Sequence, residues 1–128
     1  MCSSAPGSFL AELTLRHSAE ILAPRFAAAR TNRDRLAAMI ANSQGALSWQ
    51  RPEGGYTTFV RLPTHHLSTT GFCRHLAQEK RILLLPGEVF GSAYEQFVRI
   101  GFGCSTQSFE EGLAAMIEEL LSLSTIKA

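Results

Sequence analysis

Two apolar spacings alternate along this chain. From residue 8 to about 22, and again from 24 to about 42, alanine, leucine, arginine and glutamate dominate, with Phe9, Leu10 and Leu13 and then Leu36, Met39 and Ile40 forming the apolar stripes. Pro24 divides that run. A proline is tolerated in a first turn and disruptive deeper in a helix, so the pattern predicts two consecutive helices or one long kinked helix, ending near residues 42–45. The period then shortens. Ala46-Leu47-Ser48-Trp49 and the stretch from Tyr56 to Leu62 read as strands joined by the turn Pro52-Glu53-Gly54-Gly55. Ser68 or Thr69 can cap a helix reaching Lys80, with Phe72, Cys73 and Leu76 facing inward. Ile82-Leu83-Leu84-Leu85 predicts a buried strand stopped by Pro86-Gly87. After a further strand around Arg99, Ser108-Phe109-Glu110-Glu111 has the form of a capping box, and Leu113, Met116, Ile117, Leu120 and Leu121 repeat as a helical stripe.

This order predicts an α+β fold: a small, mostly antiparallel or mixed sheet with helices packed on one face, preceded by a long kinked helical arm. A chain of 128 residues suits one domain, which at that size buries roughly two-thirds of the surface its unfolded chain exposes. The expected division is an arm over 1–43 and an α+β unit over 44–128.

Arg99 is the residue the pattern does not explain. In Phe97-Val98-Arg99-Ile100-Gly101-Phe102-Gly103 it interrupts an apolar strand. Alternation puts Val98, Ile100 and Phe102 on one face and Phe97, Arg99 and Gly101 on the other. A guanidinium is permanently charged and shaped to grip a carboxylate or phosphate through two parallel hydrogen bonds, and it is costly to bury without such a partner. From this strand alone, Arg99 is either a binding residue or a structural one, exposed on a solvated face or paired with a glutamate.

Charge and cysteine content narrow the function classes. Twelve basic and eleven acidic residues leave no net field to steer a nucleic acid or an anionic membrane. Arg16, Arg25, Arg30, Arg33 and Arg35 crowd the first third, but acidic residues and alanines dilute them, so nucleic acid is not the expected partner. Cys2, Cys73 and Cys104 are odd in number and widely spaced, which writes neither a disulfide framework nor a zinc motif and fits a reducing cytoplasm. No apolar run reaches the length of a membrane span, and the first residues lack a leader's basic and apolar regions. His65, His66, Cys73 and His75 match no common metal spacing, so no metal is expected.

Taken together, Ser4-Ala5-Pro6, Ile21-Leu22-Ala23, Asn32, Arg51-Pro52-Glu53-Gly54-Gly55-Tyr56, Leu85-Pro86-Gly87-Glu88-Val89-Phe90-Gly91 and Phe97-Val98-Arg99-Ile100-Gly101-Phe102 resemble the carboxy-terminal, small domain of class I/II aminotransferases, pyridoxal-phosphate enzymes of fold type I. The resemblance covers nearly the whole chain. It implies that Arg99 binds the substrate α-carboxylate in amino transfer between an amino acid and a 2-oxo acid, and that Gly55 and Tyr56 border the substrate entrance. It also implies a partner large domain and a homo-oligomer. The Schiff-base lysine of such enzymes is absent, since Lys80 and Lys127 lie outside the family's lysine context. No catalytic residue is therefore expected here; pyridoxal 5'-phosphate belongs to the full-length enzyme, and the chain alone should neither hold it stably nor turn over. The alternatives are a self-standing α+β binding or oligomerisation module, and a small nucleic-acid binder using its basic arm.

Overall fold

The computed structural model describes residues 4–63 and 68–125. The chain opens with two consecutive helices, α1 (Ala5–Arg16) and α2 (Ser18–Asn42). Ser4 starts the first by accepting the Gly7 amide on its hydroxyl at 3.2 Å, with Pro6 in the first turn where its missing N–H is no loss. The break falls at His17, not at Pro24, which sits inside α2. Pro24 and Glu20 are both exposed there, so the carbonyl that Pro24 cannot serve is not confined in the core. Helix α1 buries no residue, whereas α2 buries Ala29, Asn32 and Leu36 in the core.

Four short strands follow, β1 (Ser48–Trp49), β2 (Thr57–Arg61), β3 (Leu85–Pro86) and β4 (Phe97–Gly101). They form one antiparallel sheet in the order β1-β2-β4-β3. Thr58 and Val60 of β2 and Val98 and Ile100 of β4 are buried, the alternation expected of a sheet with one covered face. Against that face pack α2, α3 (Thr69–His75), continued by a π-helical turn over Leu76–Lys80, and α4 (Thr106–Thr125), supplying Leu36, Phe72, Leu76, Met116 and Leu120 to one core. This is the α+β layer the sequence predicts. Ser68 caps α3, accepting the Gly71 amide at 3.0 Å.

Three elements differ from expectation. Ile82 to Leu85 is not a buried strand: Arg81 turns left-handed (φ 58°) after the π-helical turn, Leu83 is 82% exposed, and pairing begins only at Leu85. The start of α4 is capped by Ser105, whose hydroxyl accepts the Ser108 amide at 3.2 Å, so Ser108 belongs to the first turn. Leu121 is 64% exposed, and Leu123 takes its inward place. Among the described residues no helix is long and apolar enough to cross a membrane.

Candidate functional site

Arg99 stands on the sheet face opposite the buried Val98 and Ile100. In register it lies between Phe59 of β2 and Leu85 of β3. Its side chain is half-buried, and among the described residues neither a carboxylate nor a hydrogen-bond acceptor meets it. Its guanidinium carbon lies 5.2 Å from the centre of the Phe90 ring. The glutamate pairing is thus ruled out within these residues, and the half-buried charge is left with its five N–H donors unused.

Two short 3₁₀ turns, Gly87–Phe90 and Ser92–Tyr94, line this face with aromatic rings. Phe59 meets Phe90 edge-on at 5.2 Å and stacks on Tyr94 at 5.2 Å, and Tyr94 reaches Phe97 at 6.0 Å. Sequence reasoning missed this cluster. The available signal was the alternation that puts Phe59, Phe97 and Arg99 on the same side, together with the aromatics of a loop punctuated by Gly87 and Gly91.

Gly55 and Tyr56 are placed apart from Arg99. Gly55 turns with φ 79° and leads into Tyr56, whose ring stacks on Phe26 of α2 at 6.1 Å, on the helix side of the sheet. The Tyr56 carbonyl accepts the Phe102 amide at 2.8 Å, extending the β2–β4 ladder. Phe26, Arg30, Arg33, Glu53 and Gly54 line a 220 Å³ cleft with them. The side chains of Tyr56 and Arg99 therefore do not converge.

The exit of β4 is fixed from the helix side by Asn32. Fully buried, it donates from Nδ2 to the carbonyls of Phe102 at 3.1 Å and Cys104 at 3.0 Å. A buried amide with two long-range backbone bonds is a registration device, setting β4 and thus Arg99 against α2.

Lys80, Glu119 and His75 form a small ion-pair cluster. Lys80, the one lysine among the described residues, is 3.1 Å from Glu119 and 3.7 Å from Glu118. The hydrogen bond to Glu119 and the charge of Glu118 push its pKa above the ordinary value. His75 and then Lys80 hold the Glu119 carboxyl below the usual range. His75 meets Glu119 at 3.0 Å, and Cys73 is a buried thiol pushed up to about 11, chiefly by burial. Among the described residues no group of three or more His, Cys, Asp or Glu could hold a metal. His65 and His66 lie outside the described residues.

The lone arginine, the Pro86–Gly91 turn and the α+β layer coincide with a known family. The aminotransferase class I and II family matches residues 1–116, and the chain belongs to it. Capreomycidine synthase of Streptomyces vinaceus is 40% identical over 111 residues, covering 87% of this chain and 28% of that protein. Aromatic-amino-acid aminotransferase 2 of Thermococcus litoralis is 30% identical over 66 residues, 52% of this chain and 17% of the relative. Among solved structures, a PLP-dependent aminotransferase from Streptococcus suis superposes with a TM-score of 0.81 at 29% identity over 94% of this chain and 31% of its own. The PLP-dependent cyclase OrfR superposes with a TM-score of 0.83 at 28% identity over 94% and 32%. The chain thus spans less than a third of the length of each of these relatives.

Proposed function

We propose that this chain is the small domain of a pyridoxal-phosphate-dependent enzyme of the aminotransferase family, and that Arg99 binds the α-carboxylate of its amino-acid or 2-oxo-acid substrate. The observation that carries the reading is the half-buried guanidinium on the sheet face opposite the core, with no acid among the described residues to neutralise it. A planar fork in that state matches a carboxylate in one orientation, and fixing the carboxylate fixes the bond to be broken.

Among the described residues none fits the cofactor's Schiff-base role. A Schiff-base lysine must present a neutral amine, and Lys80 is clasped by two glutamates that hold it protonated. In this reading the lysine comes from the rest of the protein, since this chain covers less than a third of each relative's length. In this reading the chain binds and orients substrate, does no chemistry alone, and works in a homo-oligomer; the free thiols Cys73 and Cys104 suit a cytoplasmic setting.

A second reading concerns the reaction rather than the domain. Over 87% of the chain the identity to capreomycidine synthase is 40%, and the OrfR cyclase superposes closely. The OrfR likeness keeps cyclisation of an amino acid on the same scaffold as the alternative to amino transfer. Incubating the whole protein with amino acids, with and without a 2-oxo acid, separates the two. Amino transfer consumes the 2-oxo acid stoichiometrically, whereas cyclisation proceeds without it. If neither occurs although pyridoxal phosphate is bound, the enzymatic reading fails.

A further inference from the structure

We propose that Phe90 is a positioning residue for Arg99: its ring holds the guanidinium in place while leaving the N–H donors free for a carboxylate. The proposal rests on the carboxylate role given to Arg99 above. A carboxylate neighbour would also hold Arg99 still, but it would occupy the fork and compete with substrate. An aromatic ring within about 6 Å attracts a cation without bonding its donors to an oxygen, and Phe90 lies at 5.2 Å.

Phe90 is itself braced. Phe59, the cross-strand partner of Arg99, meets its ring at 5.2 Å and 85°, the edge-to-face arrangement that aromatic quadrupoles favour. Tyr94 stacks on the same Phe59 ring at 5.2 Å.

The backbone that delivers Phe90 is tightly specified. A Cβ on Gly87 would stand 2.2 Å from the Tyr94 carbonyl oxygen and 2.7 Å from that of Phe97, so only glycine lets the loop lie this close to β4. Gly91, immediately after Phe90, has φ +125°, a conformation side-chain-bearing residues rarely adopt. The Gly91 amide bonds the Glu88 carbonyl, and the Gly91 carbonyl accepts the Tyr94 amide, each at 3.0 Å. The turn therefore fixes where the ring sits. Phe90 is 43% exposed, so part of its ring stays open to solvent while the rest meets Arg99 and Phe59.

The test has two arms. In this chain, nitrogen-15 NMR should show the Arg99 Hε shifted upfield by the ring current of Phe90; Phe90→Leu should abolish the shift and Phe90→Tyr should retain it. A wild-type resonance at the random-coil position overturns the contact and leaves the carboxylate reading standing. In the whole protein, Phe90→Leu should lower kcat/KM about two- to five-fold, mainly through KM, the size expected of a partly exposed cation–π pair. Phe90→Tyr should restore it, and in an Arg99→Gln background Phe90→Leu should add no further loss. Equal loss in the Leu and Tyr variants, or an undiminished effect in the Arg99→Gln background, makes Phe90 mere packing and refutes the proposal. If Arg99→Gln leaves KM unchanged while the NMR shift is present, the carboxylate role has failed, and the positioning role fails with it.

Discussion

Replacing Asn32 probes how the strand that carries Arg99 is held against the rest of the fold. Its amide is fully buried and donates to two carbonyls, of Phe102 and Cys104, at 3.1 and 3.0 Å. In Asn32→Ala both lose their donor. Phe102 is buried, and an orphaned buried acceptor costs about 1–3 kcal/mol. Cys104 is exposed, so its carbonyl recovers water and adds less. With the small void left by the amide, the sum is about 2–4 kcal/mol. The Asn32 Oδ1, which has no protein donor in the fold, removes a little of that loss when deleted. Asn32→Asp preserves shape but aims a carboxylate, which only accepts, at two carbonyl oxygens; at pH 7 it should cost more, about 3–5 kcal/mol. Urea unfolding followed by fluorescence of the single tryptophan, Trp49, reads both. For a slope of about 1–3 kcal/mol/M, a loss of about 2–4 kcal/mol should lower the Asn32→Ala midpoint by about 0.7–4 M. The Asp variant should recover part of its deficit in acid, where a protonated carboxyl can donate. An Asn32→Ala loss below about 0.5 kcal/mol, or an Asp variant no worse than Ala at pH 7, would refute the anchoring role.

The Glu119 carboxyl, lowered by His75 and Lys80, stabilises the fold above the ordinary carboxylate range and stops doing so as pH falls through its lowered value. The Tm gap between wild type and Glu119→Gln should therefore be present at neutral pH and close below pH about 4, and a gap independent of pH would show that charge is not its origin. Lys80 carries the opposite sign, its contribution being present below the ordinary lysine range and lost as pH rises through its raised value. Cys73, with its thiol pushed up to about 11, should resist alkylation at pH 8 until the chain unfolds, whereas exposed Cys104 reacts; peptide mapping that finds equal labelling would contradict the burial. Helix α1 buries none of Phe9, Leu10 or Leu13, so light scattering should find this chain as a dimer or larger, and a strict monomer at high concentration would contradict a docking role for that face.

What could be read from the sequence divides along a physical line. The core faces of β2, β4, α3 and much of α4 were legible because alternation at two and at three to four residues directly reports which side is buried. The break at His17 was not, since only the exposure of Pro24 makes it tolerable within α2. Nor was the edge at Ile82 to Leu85, where four consecutive apolar residues carry no period and Arg81 in a left-handed conformation decides the outcome. Arg99 was visible as an anomaly, but its lack of an acidic partner and its contact with Phe90 depend on a loop folding back over β4, a tertiary fact no local pattern encodes. Tyr56 shows the converse: its motif suggests the substrate entrance, while its ring packs on Phe26 across the sheet from Arg99.

The central claim is that Arg99 is a carboxylate clamp rather than a structural cation, and paired kinetics and unfolding of Arg99→Lys and Arg99→Ala in the whole protein test it most directly. The side chain leaves the face opposite the buried Val98 and Ile100, so both variants should fold with Tm near wild type. Losing the bidentate fork costs on the order of 2–5 kcal/mol of substrate and transition-state binding, and kcat/KM should fall roughly thirty-fold or more, with lysine a poor substitute because it keeps the charge but not the geometry. Activity near wild type in either variant, or a loss accounted for entirely by unfolding, would make Arg99 structural and contradict the account.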